Sequence, residues 1–175
     1  MNILDMLKEE HRALEHLMTL LSHSSLRETD ARREGLATCE HALLVQMEVE
    51  EGVLYPTLRL RMSEAEAECT LDAYAQNYAI ADLLSRLMLL ATDDEIWRAS
   101  LRVIKENLER HHAEVETTIF LKAREHIDDA TLVSMGRRYA ALREQRALER
   151  LDKRTFAGLS LRPSVLQRQP AVTSI

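Results

Sequence analysis

Apolar residues recur every three or four positions along most of this chain, and almost nothing interrupts them. The 175 residues contain four Gly and three Pro, and two of those Pro fall in the last thirteen positions. No alternating β-branched run stands out. A chain with a period near 3.6 and so few breakers is restricted to helices packed on helices. Leu4, Leu7, Leu14, Met18 and Leu21 give a first helix one buried stripe, with Asn2 as its N-cap and Asp5 in its first turn. A second helix starts near Thr29 or Asp30 and runs towards Tyr55, where Pro56 kinks or ends it. Ser63 with Glu66 forms a capping box for a third, which runs to about Leu90. Thr92 with Glu95 opens a fourth, which continues to about Glu125. Asp128 or Asp129 caps a fifth, which reaches about Leu151. Residues 155–175 carry Pro163 and Pro170 and are expected to be extended or mobile. Four long helices joined by short links predict an all-α, antiparallel up-down four-helix bundle over residues 1–126. Residues 127–154 would form an additional basic helix, packed outside the bundle or used in assembly.

Apolar residues make up 46% of the chain and charged residues 30%, as expected for one soluble globular domain. The net charge of −6 hides an asymmetry. Residues 137–175 hold nine Lys/Arg and three Asp/Glu, while the rest holds 14 and 26. An acidic body with a basic C-terminal part argues against nucleic-acid binding. The basic helix is expected to dock on its own body, on a second copy or on an acidic protein partner. Arg143, Arg146 and Arg150 read first as a solvated face of that helix. Charges appear by residue 5 and no run of about 18 apolar residues occurs, which predicts neither a signal peptide nor a membrane span. Cys39 and Cys69 show no framework spacing, so a reducing cytoplasmic setting is expected.

Each helical residue turns the chain by about 100°, so phase decides which polar side chains face inward. On helix two, Leu36, Leu43, Met47, Leu54 and Leu58 set the apolar centre. Glu50 lies within about 50° of it and Gln46 lies near its edge, while His41 falls on the opposite, solvated side. On helix four, Trp97, Ile104, Leu108 and Val115 set the centre. His111 lies close to it, His112 further off and Glu116 at the flank. Asn77 lies within the apolar face of helix three, with Tyr74 near its edge. His11 continues the stripe of helix one. Each long helix thus sends a polar side chain inward. A lone inward histidine is usually a hydrogen-bonded core residue. Four helices doing so together point to a shared cluster, because a buried unpaired carboxylate costs several kcal/mol. Histidine and carboxylate side chains from facing helices are how bundle cores hold iron or manganese.

The segment KEEHRALEHLMTLL resembles the first helix, and EEGVLYPTLR and HHAEVETTIFLKARE resemble the ends of the second and fourth helices, of the hemerythrin-like, or HHE cation-binding, family. The resemblance covers about residues 1–126. It implies a bundle with one His on helix one, His-x-x-x-Glu on helix two, one His on helix three and His-x-x-x-Glu on helix four. His11, Glu50 and His111 match ligand positions. Gln46 and Asn77 stand where the family has His, and Val115 stands where it has Glu. A second register takes His112 and Glu116 as an intact His-x-x-x-Glu, which the phase of helix four favours less. The full set implies a carboxylate-bridged iron pair that binds O2 or serves in responses to peroxide or nitric oxide. The set here implies an atypical site holding one iron or an unusual pair through His11, Glu50 and His111. Gln46, Asn77, Tyr74, Tyr78, His112 and Glu116 are supporting candidates. The alternative is a metal-free protein of the same fold, acting as an interaction or regulatory module. An iron enzyme is a weaker third reading, and the lack of a Gly-rich phosphate loop argues against nucleotide use.

Overall fold

The computed structural model describes residues 1–25 and 28–160, with side chains described as far as Arg150. Five helical rods account for the fold, and the described residues contain no strand. The first rod is α1 (Ile3–His23). The second is α2 (Thr29–Val49), which passes through a π-helical segment (Glu50–Leu54) into α3 (Tyr55–Arg59). Then come α4 (Glu64–Leu87) and α5 (Glu95–Glu114). The α5 helix continues through a second π-helical segment (Val115–Ile119) into α6 (Phe120–His126). The last rod is α7 (Asp129–Ser160).

Local chemistry explains the starts. Asn2 Oδ1 accepts the Asp5 backbone N–H at 3.0 Å. Ser63 and Glu66 form a reciprocal capping box. Asp128 accepts the Thr131 N–H at 2.8 Å and caps α7. The expected Thr92 cap is displaced by two residues. Asp94 takes the Ile96 N–H at 2.8 Å, while buried Thr92 donates to the Thr29 carbonyl. Asp outcompetes Thr here because the Thr92 hydroxyl is occupied elsewhere.

Three further expectations change. Pro56 does not end the second rod. It sits in the first turn of α3, directly after the π-helical segment, where a missing N–H is tolerated. The α7 helix runs past Leu151 to Ser160, so residues 155–160 are helical and not extended, while 161–175 lie outside the described residues. The face of α7 carrying Arg143, Arg146 and Arg150 is a docking face. Arg143 pairs with Glu10 at 2.5 Å, Arg146 grips both Glu48 oxygens at 2.6 and 2.8 Å, and Arg150 donates to Thr38. The basic helix therefore docks on the acidic body within one chain through two ion pairs, and His41 beneath them is half-buried.

Two apolar clusters fill the molecule. One gathers Ile3, Leu4, Leu7, Leu54, Leu58, Ala73, Val115, Phe120 and the α7 residues Leu132, Met135 and Tyr139. The other gathers Leu14, Met18, Leu36, Leu43, Ile80, Leu84, Trp97, Ile104 and Leu108. At its far end Arg32 lies over Trp97 and donates to the Ser24 and Thr92 carbonyls, tying three helix ends together. Each fully buried large aliphatic contributes about 1.5–3 kcal/mol. Between the clusters, at one level of the bundle, lie His11, Gln46, Glu50, Asn77, His111 and His112, all buried.

Candidate metal centre

Glu50 is fully buried and stands at the centre of this polar layer. Four donors reach its carboxylate. His11 Nε2 lies 3.4 Å and Gln46 Nε2 3.3 Å from Oε1, and the Tyr55 hydroxyl and Asn77 Nδ2 each lie 3.1 Å from Oε2. Burial alone would push this carboxyl towards its neutral form. The hydrogen bond and charge of His11, with smaller help from His111 and Asn77, outweigh burial and hold it below the usual carboxylate range.

The three histidines share one pattern. Each commits Nδ1 to an outer acceptor: His11 to Glu116 at 3.0 Å, His111 to Gln76 at 2.7 Å and His112 to Glu15 at 2.7 Å. A carboxylate or amide oxygen only accepts, so each Nδ1 carries the hydrogen. In each ring Nε2 is left for the interior. The His11 Nε2 meets Glu50, and the His112 Nε2 accepts from Gln46 at 3.2 Å. The His111 Nε2 is buried and has no hydrogen-bond partner among the described residues. The rings of His11 and His112 stack in parallel at 3.9 Å. Burial first, and then the repulsion a proton on His112 would meet from its histidine neighbours, bring His112 down to about 2, and burial lowers His111 as well, so at neutral pH both are neutral. His11 differs. Burial opposes its charge, but Glu50 and Glu116 outweigh burial and raise it above its ordinary value. When protonated, His11 bridges two carboxylates, and Lys8 pairs with the far side of Glu116 at 3.1 Å.

Of the residues singled out in the sequence, the structure brings together His11, Gln46, Glu50, Asn77, His112 and Glu116, with His111 beside His112 in the same buried layer. It separates Tyr74, whose hydroxyl goes to the Glu51 carbonyl, and Tyr78, which is 76% exposed. The histidines of both registers are buried in the layer. Val115 belongs to the apolar core, whereas His112 and Glu116 both bond into the cluster. Glu116 lies on the flank, as its phase requires, and His11 of the neighbouring helix reaches across to it. Phase within one helix carries no information about that reach.

Tyr55 was missed altogether. Five residues after Glu50, an α-helix would carry it well away from that carboxylate. The π-helical segment brings it back, and its N–H bonds the Glu50 carbonyl. Glu15 and Gln76 were missed too, because as half-exposed residues they read as ordinary surface positions.

The sequence profile of the Hemerythrin HHE cation binding domain matches residues 2–123. This chain belongs to the hemerythrin HHE cation-binding family. Its fold is the hemerythrin-like bundle with an additional C-terminal helix, and the crystal structure of an HHE cation binding domain-containing protein from Mycobacterium kansasii is similar. That similarity has a TM-score of 0.75 at 25% identity, and it covers 87% of this chain and 91% of the other. Among curated proteins no relative matches. Among the described residues no helix is long and apolar enough to cross a membrane.

The side chains present fit a metal ion of the kind the family name implies. Metal-binding histidines characteristically give one ring N–H to a carboxylate or carbonyl and ligate through the other nitrogen. All three buried histidines here are held that way around a carboxylate, and the unpartnered His111 Nε2 has no other use. Among the described residues no three His, Cys, Asp or Glu side chains already stand at ligand spacing.

Proposed function

We propose that this protein binds iron at the buried layer, with His11, His111 and His112 offering Nε2 and Glu50 offering Oε1. Cation binding is what the family stands for; iron and this ligand set are our reading. The observation that carries it is the shared histidine pattern, with Nδ1 fixed outward and Nε2 left inward on three separate rings. A buried acceptor with no partner costs about 1–3 kcal/mol, and the layer holds three of them: His111 Nε2, Gln46 Oε1 and Asn77 Oδ1. A cluster that served only to stabilise the fold would have no reason to carry that cost.

Iron held there would supply binding or reduction of O2, peroxide or nitric oxide. The chain's own residues do the rest. Glu116, Gln76 and Glu15 fix the histidine tautomers. Asn77 helps keep Glu50 ionised, and Tyr55 helps hold it in place. The two apolar clusters above and below keep bulk water out. Ligation through Nε2 needs the neutral ring, so His11 would release its Nε2 proton to solvent while Nδ1–H stays on Glu116.

One observation favours a second reading. With His11 charged, the layer is electrically balanced without a metal, as a metal-free interaction or regulatory module would require. Metal analysis of protein purified without oxygen, with absorption spectra before and after air, separates the two. Iron retained at fixed stoichiometry, with a spectrum that changes in air, is expected. No iron after reconstitution with Fe(II) would establish the second reading.

A further inference from the structure

We infer that the centre is built for one ion per chain, and that Asn77, Tyr55 and Gln46 set that number. The inference rests on the metal-binding reading above and adds the count and the residues that determine it.

A carboxylate joins two ions only when each oxygen has a lone pair free. Glu50 has about four lone-pair directions, and four donors occupy them. On Oε1 they are His11 and Gln46; on Oε2 they are Tyr55 and Asn77. His11, the one imidazole among them, lies on Oε1, so Oε1 is the side turned to the histidines that would hold an ion. Oε2 stays held by a phenol and an amide. Tyr55 is buried, its ring edge packs on Tyr74 at 5.1 Å, and the π-helical segment fixes it over Glu50. Asn77 is pinned from both sides, because the same Nδ2 also donates to Glu51 at 3.1 Å.

The amides are fixed in orientation as well as in place. Gln46 Nε2 lies between Glu50 Oε1 and His112 Nε2, and Asn77 Nδ2 lies between two carboxylates. All four neighbours are acceptors. Each amide therefore turns its hydrogens to Glu50 and its unpartnered carbonyl oxygen away from that carboxylate, and a flipped amide would set its oxygen against a carboxylate or a lone pair. Hydrogens do not ligate a cation. Glu116, the second carboxylate of the layer, is taken up by His11 and Lys8. A second ion on Glu50 would have to displace Tyr55 and Asn77 from Oε2, and would meet amide hydrogens rather than oxygens from positions 46 and 77.

The test is an anaerobic titration with Co(II), followed by metal analysis per folded chain. The wild-type protein is expected to saturate at one ion, and Gln46→His with Asn77→His at two. Should the double His variant fail to fold, the isosteric pair Gln46→Glu with Asn77→Asp is used, with the same expectation. Two ions in the wild-type protein would overturn the inference and leave metal binding standing. So would a folded double variant that stays at one. No ion in the wild-type protein would instead remove the metal-binding reading on which the inference rests.

Discussion

Glu116 shows what a single residue adds beyond its own helix. Its carboxylate is shared between His11 Nδ1 and Lys8, and His11 and Lys8 hold it below the usual carboxylate range against the effect of burial. It acts on the centre through His11 and does not touch Glu50. Loss of such a supporting carboxylate typically lowers metal affinity by about 10–100-fold. Glu116→Gln is expected to fall in that range while keeping the wild-type circular dichroism, as read by chelator competition with Co(II). An unchanged affinity would show that Glu116 does not hold His11 for the metal. The inward-facing set His11, Glu50, Asn77 and His111 was legible from phase alone, because burial of a polar group on an apolar stripe is a one-helix property. The partners Glu15, Gln76 and Glu116 were not, because their roles exist only between helices.

At the scale of elements, the two π-helical segments explain most of what a steady 100° per residue misses. Each lies one step beyond the polar layer, at Glu50–Leu54 and Val115–Ile119. A π-helix turns less per residue, so Tyr55 in one rod and Phe120 and Ala123 in the other come inward where an α-helical count places them sideways. The sequence carries no composition signal for this. Two glycines test how tightly the elements meet. A Cβ on Gly136 of α7 would lie 2.9 Å from the Met1 carbonyl oxygen and 3.1 Å from the Ile3 nitrogen, which are backbone atoms that cannot step aside. A Cβ on Gly52 would meet nothing within 4 Å. Gly→Ala in a helix ordinarily gains up to about 1 kcal/mol. Urea unfolding is expected to show that gain for Gly52→Ala and a net loss of about 1–2 kcal/mol for Gly136→Ala, since overpacking costs about 1–3. Equal effects at the two sites would mean that α7 does not press on the start of α1.

For the whole molecule, the bundle class and the separate basic helix were legible because period, caps and charge asymmetry are properties of the chain. How the basic helix is used was not legible, since its partners Glu10, Glu48 and Thr38 lie about a hundred residues or more away in sequence. The buried layer also shapes stability against pH. His112, and His111 with it, titrate below their ordinary value when folded, so below about pH 6.5 the unfolded chain takes up protons the folded one refuses. Stability of the metal-free protein should fall with acid, with His112 alone contributing a slope of about 1.4 kcal/mol per pH unit. His11 has the opposite sign. Its folded value is raised, so its contribution is full below 6.5 and is lost as pH rises through that folded value. Urea midpoints across pH are expected to peak near neutrality, and His112→Ala should flatten the acid limb. A flat wild-type profile would contradict the assigned charges.

The central claim is that the inward Nε2 atoms exist for a metal, and His111 isolates it, because its Nε2 supports nothing else in the fold. The decisive measurement is the anaerobic Fe(II) dissociation constant of the wild-type protein beside that of His111→Ala, with unfolding free energies for both. A ligand lost outright should weaken affinity by more than the roughly 100-fold typical of a supporting residue, while the metal-free variant stays folded. Equal affinity in the two proteins, or no Fe(II) binding in either, would contradict the account.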